Sequence, residues 1–486
     1  MQNIDKDLQS IQEAREKATQ AFSAWKTWSH ASQEQVDRVC SAMAQAALDA
    51  SERLGIMAHQ ETGYGVPEHK RLKNELASRH VWQSIKDLKT VGVIKHDVEK
   101  KIYEIAWPMG VIAGLTPSTN PTSTVMYKIL VAVKARNAIV IAPHPAAARC
   151  CYETTRLMAQ AAVDNGAPEG LISCMQNITL EGTQELMRHK YVALILATGG
   201  TPMVRAAHST GKPAIGVGPG NVPVYVDRSA DIEKAARFIV ASKAFDCSTI
   251  CATEQSVVAD APIASRLADL MQREGAYFTN PQETDLLRKL LFHPDGTMNT
   301  IAVGKPAEYV AGLAGFSVPR GTRILVARLT KTGKEEPLSR EKLTTVLGWY
   351  EEEGWEAGCE RCIELIQFGG RGHSLIIHAT DEDVIMAFGL EKPVFRIVVN
   401  TMGTLGAVGL TTGVMPSYTL GAGGVGGSIT GDNVTAIHLM NIKRLAYEIS
   451  PPPAAAMVPG QPKPAPSPDE IEKAVREAVD NILNIR

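Results

Sequence analysis

The sequence predicts an α/β protein of more than one domain, in which parallel sheets carry helices on both faces. At 486 residues the chain exceeds what one hydrophobic core normally holds, so two or three domains are expected. From about Val91 onward, short apolar runs bounded by Gly and Pro alternate with helical stretches, which is typical of parallel strands joined by helices. The composition, 44% hydrophobic and 21% charged, is that of an ordinary globular protein.

The elements follow in order along the chain. Residues 7–88 are predicted to be helical, because apolar residues recur every three or four positions. The next strand-like runs are KIYEIAWP (101–108), GVIAGLTP (110–117), AIVIAPHP (138–145), YVALILATGG (191–200) and NVPVYV (221–226), and helices are expected over 121–135 and 147–166. A second α/β set, from about Ser242 to Leu420, contains the strand-like runs ILVARL (324–329), HSLIIHA (373–379) and RIVVN (396–400).

The C-terminal tail differs in kind from the rest of the chain. The proline- and alanine-rich tract 450–468 cannot bury a core and is predicted to be an extended linker. The segment 467–486 is predicted to be an amphipathic helix, with Ser467 and Glu470 forming a capping box and Pro468 in the first turn. Its apolar stripe comprises Ile471, Val475, Ala478, Val479, Ile482 and Ile485. A helix this short needs a partner, either another protein or the rest of its own chain.

Charge and sequence signals limit the class of function. The net charge is −2, from 50 basic and 52 acidic residues without a long basic run, which argues against binding nucleic acid or an anionic membrane. The polar N-terminus lacks the apolar stretch of a signal peptide, and no window is apolar enough to span a bilayer. We therefore expect a cytoplasmic protein. Its eight cysteines form no paired framework, so we ask which one does chemistry.

The most informative stretch is ASKAFDCSTICATEQS (241–256), where Cys251 is followed by small and polar residues. A thiol between a helical run and a strand-like run could be an exposed nucleophile on a loop. An isolated cysteine is more often a small buried hydrophobe, so other features have to support that interpretation.

Three other motifs provide that support. In TPSTNPTS (116–123), Asn120 could place an amide donor at a helix start to hold an oxyanion, although Asn-Pro is also an ordinary turn. In ILATGGTPMVRAAHS (195–209), a strand ends in Thr-Gly-Gly and opens a helix, whose free N–H groups suit a phosphate. In KPAIGVGPGNVPVYV (212–226), glycines allow the backbone to approach a ligand or simply to turn.

Two further motifs are interpreted as decoys. GAGGVG (421–426) matches GxGxxG but lacks a convincing following helix, and CERC (359–362) has no second cysteine pair for a metal. We expect no metal site.

Taken in order, these motifs resemble the aldehyde dehydrogenase superfamily, and within it the CoA-acylating acetaldehyde and propionaldehyde dehydrogenases. The resemblance covers roughly residues 8–449 and rests on several motifs. They are PSTNPTS, LILATGG, GKPAIGVGPGNVP, SKAFDCSTICATEQS, EKL (341–343), GGRGHS (369–374) and PSYTLGAGGVGGS. It implies an aldehyde dehydrogenase-like fold with two Rossmann-like α/β domains and a small β oligomerisation arm.

The resemblance also implies the roles of individual residues. Cys251 would be the nucleophile, Asn120 and the Cys251 N–H would form the oxyanion hole, and His373 would lie near the reaction centre unless it is only structural. The cofactor-binding residues would be Thr116, Pro117, His144, Thr198, Gly199, Gly200, Met203, Gly218 and Glu341, with Glu341 on the nicotinamide ribose. The family usually has Asn-Gly where this chain has Cys247-Ser248, which leaves a second thiol near the site.

The implied reaction is oxidation of a short aldehyde, acetaldehyde or propionaldehyde by default, with NAD and coenzyme A to an acyl-CoA. Hydrolytic members carry a water-activating glutamate where this chain has Val217 or a neighbouring glycine, so the thiol of CoA is expected to resolve the thioester. The alternatives are a hydrolytic aldehyde dehydrogenase, a non-catalytic scaffold, and a functionalised aldehyde such as sulfoacetaldehyde. NAD is preferred over NADP because no basic residue is clearly placed for a 2′-phosphate.

The expected domain boundaries complete this prediction. Residues 1–240 would hold the N-terminal helices and the cofactor- and CoA-binding domain, with 95–106 in the arm, and 241–425 would form the catalytic domain. Residues 426–449 would return to the arm and make a homodimer or homotetramer. The linker is placed at 450–466 and the helix at 467–486. The tail resembles the encapsulation peptides of bacterial microcompartment enzymes, which implies shell or cargo proteins as partners and a location in the microcompartment lumen.

Overall fold

The computed structural model describes residues 5–453, 456 and 466–483, and these form two compact units. The first comprises Met1–Gly92 and Ala106–Ile442, and the second comprises Val93–Ile105 and Lys443–Arg486. The first nine helices are α1 Lys6–Trp28, α2 Gln33–Asp49, α3 Ser51–Thr62, α4 Pro67–Glu75, α5 Val81–Ile85, α6 Pro121–Lys134, α7 Ala148–Asp164, α8 Leu180–Arg188 and α9 Thr201–His208. The others are α10 Ile232–Ala244, α11 Ala261–Arg273, α12 Pro281–Leu291, α13 Ala307–Ala314, α14 Gly354–Phe368, α15 Glu382–Glu391, α16 Gly403–Ala407 and α17 Pro468–Leu483.

The strands confirm the predicted α/β class. They are β1 Gly92–Asp97, β2 Ile102–Pro108, β3 Val111–Thr116, β4 Ala138–Pro143, β5 Ile172–Cys174, β6 Val192–Thr198, β7 Ala214–Val217 and β8 Val222–Val226. They continue with β9 Glu254–Asp260, β10 Ala276–Phe278, β11 Ile324–Arg328, β12 Val346–Glu352, β13 Leu375–His378, β14 Ile397–Val399 and β15 Met440–Ala446. The predicted helical region 7–88 is α1 to α5, with one π-helical turn at Leu76–His80.

The first parallel sheet has the order β5-β4-β3-β6-β7. Its topology reverses between β3 and β6, which is where doubly wound sheets bind ligands, beyond the carboxyl ends of the strands. The buried Lys128 of α6 donates to the carbonyls of Leu115 (2.5 Å) and Leu196 (2.7 Å), near the ends of β3 and β6. This contact fixes α6 beneath the switch point.

The second parallel sheet has the order β10-β11-β12-β9-β8-β13-β14. Strand β8 pairs with β9 and β13 in this sheet, and α10 packs against α11. The division between the two sheets therefore lies between β7 and β8, rather than at residue 240 as expected from the sequence. The strand-like run 221–226 was expected to close the first set, but its hydrogen bonds are made in the second.

The remaining elements are β1, β2 and β15, which form a three-stranded sheet in that order, and the tail helix α17. The predicted capping box is confirmed, because Glu470 N donates to Ser467 Oγ (3.3 Å) and Ser467 N donates to Glu470 Oε2 (2.8 Å). Most of the predicted linker 450–466 and the end of the predicted helix, 484–486, lie outside the described residues. Among the helices that the structure describes, none has the length and apolar content that crossing a bilayer demands.

Candidate active site

A cleft of about 400 Å³ lies where the carboxyl edge of the first sheet meets the amino edge of the second. Loops that follow β3, β6 and β7 form one wall, and loops that precede β9 and β12 form the other. The lining residues are Tyr64, Pro117, Ser118, Thr119, Asn120, His144, Thr198, Gly199, Gly200, Met203, Val217, Gly218, Thr249, Cys251, Met298, Thr300, Val303, Glu341 and Leu343.

Ten of the twelve predicted site residues line this one cleft, although they come from loops more than 200 residues apart in sequence. The two exceptions are Thr116 and His373. Thr116 is fully buried and its Oγ1 lies 3.7 Å from Cys151 Sγ, on the side of β3 that faces α7. It supports the groove from behind and does not line it, which corrects the expectation for that residue.

Cys251 lies between the short helical turn Phe245–Ser248 and β9, and it is partly exposed to the cleft. Burial of the thiol, with Glu341 nearby, raises the pKa of Cys251 to about 12, while Arg396 and the N–H groups of Cys251 and Ala252 oppose the rise. In the free protein the side chain is therefore a thiol, and a nucleophilic role requires deprotonation when the substrates bind.

Asn120 is the N-cap residue of α6 and faces the same loop as Cys251. Its Nδ2 donates to the Thr249 carbonyl (3.0 Å) and to Thr119 Oγ1 (3.2 Å). Its Oδ1 accepts from Lys73 Nζ (2.7 Å). The amide N–H groups therefore point toward the loop that carries the thiol, as an oxyanion donor requires.

A buried charge cluster underlies this loop. Asp246 is completely buried and accepts hydrogen bonds from Val66 N (2.7 Å), Lys70 (3.2 Å), Thr249 Oγ1 (2.6 Å) and Lys73. Burial alone would raise the pKa of Asp246, but the two lysines lower it to about 2, so the carboxylate stays ionised. Asp246, Cys247 and Ser248 all have positive φ, of 48°, 52° and 65°. Three consecutive left-handed non-glycine residues are costly and persist because these contacts hold them.

Glu341 approaches the cleft from the side opposite to Asn120. Its Oε1 accepts from Gly220 N (2.9 Å). Burial raises the pKa of Glu341 to about 7, although the Gly220 N–H, Lys243 and Lys342 act in the opposite direction. Of the described lining residues, Glu341 is the one carboxylate.

His373 lies behind the lining. A Cβ built on Gly220 would lie 2.3 Å from the Cys251 carbonyl oxygen and 3.0 Å from His373 Nδ1, so the histidine is next to the nucleophile's backbone. His373 is 1% exposed, its Nδ1 lies 3.0 Å from Ser374 Oγ, and its Nε2 has no hydrogen-bond partner. Burial, together with Arg396, lowers its pKa to about 3, so the imidazole is neutral at physiological pH.

The glycines of the cleft leave room for a dinucleotide. A Cβ built on Gly218 would meet no atom within 4 Å, whereas one on Gly199 would come within 3.1 Å of Met203 Sδ. Gly200 is the N-cap of α9 and has no side-chain cap, but Pro202 has no N–H, and Met203 N and Val204 N already donate to the Gly200 carbonyl, which leaves the Thr201 N–H for a phosphate. The three glycines thus expose backbone along part of this wall, as the close approach of a nicotinamide dinucleotide requires.

The sequence motifs set aside as decoys have structural explanations. Gly424–Gly426 forms one 3₁₀ turn without a following α-helix, so GAGGVG is not a dinucleotide motif. Cys359 and Cys362 are both buried in α14, and the described residues contain no group of three or more potential ligands for a metal. Cys247 is buried and its pKa is raised to about 11 by burial, so it is not a reactive thiolate.

Sequence reasoning missed several residues of the site. Ser118, Thr119, Thr249 and Leu343 lie inside quoted motifs but were not singled out. Tyr64 lies between two glycines, a turn signal that could have drawn attention. Met298, Thr300 and Val303 follow no motif, and only the fold brings them to the cleft.

Comparison with known proteins supports the family resemblance that the sequence motifs indicate. The chain matches the model of the aldehyde dehydrogenase family over residues 3–281. It is 43% identical to the aldehyde-alcohol dehydrogenase of Streptococcus pneumoniae over 409 residues, which are 82% of this chain and 46% of that protein. The chain thus spans about half the length of such curated relatives.

Three solved structures share the fold over nearly their whole length. The acetylating aldehyde dehydrogenase of Geobacillus thermoglucosidasius has a TM-score of 0.91 and 48% identity, over 93% of this chain and 99% of that one. The propionaldehyde dehydrogenase of Rhodopseudomonas palustris, with bound CoA and an acylated cysteine, has a TM-score of 0.82 and 29% identity, over 89% and 97%. The propionaldehyde dehydrogenase of the Clostridium phytofermentans fucose utilisation bacterial microcompartment has a TM-score of 0.82 and 28% identity, over 88% and 96%. The predicted recognition is confirmed: the chain belongs to the aldehyde dehydrogenase family.

Proposed function

We propose that this protein oxidises a short, uncharged aldehyde with a nicotinamide dinucleotide and coenzyme A, and releases an acyl-CoA. The observation that carries the proposal is the cleft itself, in which Cys251 and Asn120 face a glycine-lined wall suited to a dinucleotide. Relatives that share the fold are acetylating or propionaldehyde dehydrogenases, and one of them holds CoA and an acylated cysteine.

The first step uses the Cys251 thiol. After the thiol loses its proton, Sγ attacks the aldehyde carbon, and the carbonyl π electrons move to the oxygen. Asn120 Nδ2 and the Cys251 N–H hold the resulting oxyanion. The thiol proton passes to solvent as the substrates bind, because a pKa of about 3 makes the neighbouring His373 a weak base. The neutral imidazole stays next to the Cys251 backbone, where its unpaired Nε2 can take part in a hydrogen bond.

The oxidation leaves a thioester on Cys251. A bound nicotinamide dinucleotide supplies the two-electron acceptor for the aldehyde hydrogen. The oxyanion electrons re-form the C=O bond as the C–H bond breaks, and the acyl group stays on Sγ. Glu341, Gly200 and Gly218 would hold the dinucleotide, with Glu341 accepting hydrogen bonds from the ribose hydroxyl groups.

The thiol of CoA then resolves the thioester. Its sulfur forms a new bond to the acyl carbon, the bond to Cys251 Sγ breaks, and the leaving Cys251 thiolate takes up the proton that the CoA thiol gives up. Val217 and Gly218 line the cleft. By the resemblance, Val217 or a neighbouring glycine stands where hydrolytic members of the family carry a water-activating glutamate, and neither residue type can take a proton from water. Glu341 is bound to Gly220 N–H and is assigned to the dinucleotide.

Charge in the cleft favours an uncharged aldehyde and NAD. Of the described lining residues, none is a lysine or an arginine. A sulfonate or carboxylate on the substrate, or the 2′-phosphate of NADP, would therefore find no cation there. Partial burial lowers the pKa of His144, and its Nδ1 accepts from Ala146 N (3.1 Å), so this residue does not supply a positive charge.

The test is product identification with purified protein, NAD and propionaldehyde, with and without CoA. We expect NADH formation to depend strongly on CoA and the product to be propionyl-CoA. Equal NADH without CoA, with free propionate as product, would identify a hydrolytic enzyme. No turnover with acetaldehyde or propionaldehyde would favour a non-catalytic scaffold.

The assembly proposals concern the second unit. The β1-β2-β15 sheet is proposed as the arm that makes a homodimer or homotetramer. Helix α17 is proposed to bind microcompartment shell or cargo proteins, because Ile471 (51% exposed) and Val475 (56% exposed) present apolar side chains on a capped helix. The similarity to a propionaldehyde dehydrogenase of a bacterial microcompartment supports the proposal that this protein lies in the lumen of such a compartment. Expressed with shell proteins, the full chain should co-localise with them.

A further inference from the structure

Lys73 of α4 is a buried lysine next to the site, and it is 3% exposed. An ammonium group carries three N–H donors and no acceptor. Lys73 Nζ contacts three acceptors, which are Asn120 Oδ1 (2.7 Å), Thr249 Oγ1 (3.3 Å) and the Asp246 carboxylate. Burial lowers the pKa of Lys73 to about 7, and the contact with the Asp246 carboxylate favours the protonated form. In that form every donor has a partner, and two of the partners line the cleft.

These contacts decide which way the Asn120 amide points. With Oδ1 on Lys73, Nδ2 donates to the Thr249 carbonyl, two residues before the nucleophile. If the amide were flipped, its NH₂ group would meet the ammonium and its oxygen would meet the Thr249 carbonyl. Both contacts would then be repulsive, so a donor-only partner at Oδ1 excludes the flipped state.

We propose that Lys73 is a positioning residue for the oxidation at Cys251: its ammonium holds the Asn120 amide with the N–H groups toward the reacting aldehyde oxygen. The inference rests on the proposed function, since it assumes that Asn120 is the oxyanion donor. The 3.2 Å contact from Nδ2 to Thr119 Oγ1 is the one that an oxyanion in the cleft would replace.

The Asp246 carboxylate holds Lys73 in the position from which it contacts Asn120. The same carboxylate also binds Thr249 Oγ1 and Lys70, so the helix α4 and the loop before Cys251 share one anion. The backbone N–H of Asp246 donates to His69 Nδ1 (2.8 Å), which fixes the left-handed turn against α4 as well. Helix α4 therefore sets both the amide and the nucleophile loop.

Lys70 provides a matched control for Lys73. It is on the same helix, is 2% exposed and shares Asp246, but its other contact is the Thr119 carbonyl (3.3 Å) and it does not contact Asn120 in the structure. Lys70→Met removes one cation from the cluster and leaves the bond between Lys73 and Asn120 intact. Comparing it with Lys73→Met separates orientation of the amide from loss of charge.

The experiment measures kcat and the KM values for NAD and propionaldehyde, with CoA, for Lys73→Met, Lys70→Met, Asn120→Ala and the double variant Lys73→Met/Asn120→Ala. We expect Lys73→Met to lower kcat on the order of 10- to 100-fold, with the KM for NAD changed less than about 3-fold. In the Asn120→Ala background, the same change should lower kcat further by less than about 3-fold, because there is no amide left to orient.

Two variants protect the test against misfolding. Lys73→Arg keeps a donor-only cation and should recover part of the rate, whereas Lys73→Gln can present either end of its amide and should not. Thermal melting checks that each variant is folded. Additive losses in the double variant, or equal losses in Lys73→Met and Lys70→Met, would overturn the inference. If the wild-type protein shows no CoA-dependent turnover, the proposed function fails instead.

Discussion

At the scale of single residues, the site is made of groups whose charge states burial has changed. Burial raises the pKa of Cys251 to about 12 and that of Glu341 to about 7, and lowers that of His373 to about 3. The free protein therefore holds the nucleophile as a thiol, with a neutral imidazole close to its backbone carbonyl. This arrangement protects the nucleophile until the substrates bind, at the cost of needing a proton acceptor at that moment.

Replacing the nucleophile should abolish the reaction. Cys251→Ala is expected to lower CoA-dependent NADH formation by at least about 1000-fold, because no other thiol lines the cleft among the described residues. The measurement is the absorbance of NADH at saturating propionaldehyde. Cys247→Ala is the matched control and should keep most of the wild-type rate, since that buried thiol is outside the lining. Substantial turnover by Cys251→Ala would contradict the assignment.

The raised pKa of Glu341 predicts a pH dependence of NAD binding. Below pH 7 the carboxyl group is protonated and no longer presents a charged acceptor to the ribose. The KM for NAD should therefore rise about tenfold from pH 8 to pH 6. In Glu341→Gln this KM should be higher and flat across the range. Glu254→Gln, which removes a buried carboxyl group outside the cleft with a similarly raised pKa, should keep the wild-type dependence.

At the scale of elements, the site depends on how helices and loops meet at the edges of the two sheets. The turn between α3 and α4 contacts the nucleophile loop directly, because Val66 N donates to Asp246. Gly65 N in the same turn donates to the Gly304 carbonyl, before α13. Strands provide the loops that carry the chemistry, and α4 fixes one of those loops.

Alanine substitutions at Gly65 and Gly92 distinguish a steric clash with Asp246 from the ordinary cost of a left-handed backbone. Gly65 and Gly92 both have φ of +68°, so alanine at either costs about 1 kcal/mol for the left-handed backbone. A Cβ on Gly65 would also lie 1.9 Å from Asp246 Oδ1, whereas one on Gly92 would meet nothing within 4 Å. Gly65→Ala should lower the apparent Tm by several degrees more than Gly92→Ala and should also lower kcat. Equal effects in thermal melting would show that the turn does not act through Asp246.

The sequence predicts the elements better than it predicts their contacts. The alternation of apolar runs and helices locates β3, β4, β6, β8 and most helices, because each strand is buried on both faces and reads as a continuous apolar run. It places β8 in the wrong sheet, since pairing partners are not written in a local pattern. Lys73 and Asp246 are 173 positions apart, and nothing in either local sequence predicts their ion pair.

At the scale of the whole molecule, the residues proposed for turnover and those proposed for assembly lie in different compact units. The cleft and every residue assigned to it belong to the first unit. The second unit holds most of the three-stranded sheet and the tail helix. Turnover and assembly are therefore expected to be separable by changes in different parts of the chain.

Removing the tail should separate the two activities. Deletion of 450–486 is expected to leave kcat and KM within about twofold of the full chain, because none of the residues of this segment that the structure describes lines the cleft. The same deletion should abolish co-localisation with coexpressed shell proteins, measured by fluorescence microscopy of a tagged protein. The charge substitution Ile471→Glu/Val475→Glu in the full chain is a milder control and should have the same effect on co-localisation. A large loss of turnover would indicate that the tail binds its own chain.

The most direct test of the account is a single turnover without CoA, followed by mass spectrometry of the intact protein. If Cys251 forms a thioester that water cannot resolve, mixing with NAD and propionaldehyde should release about one NADH per active site. The protein mass should then increase by one propionyl group, and adding CoA should remove that group as propionyl-CoA. Continuous NADH release without CoA, with unmodified protein and free propionate, would contradict the account.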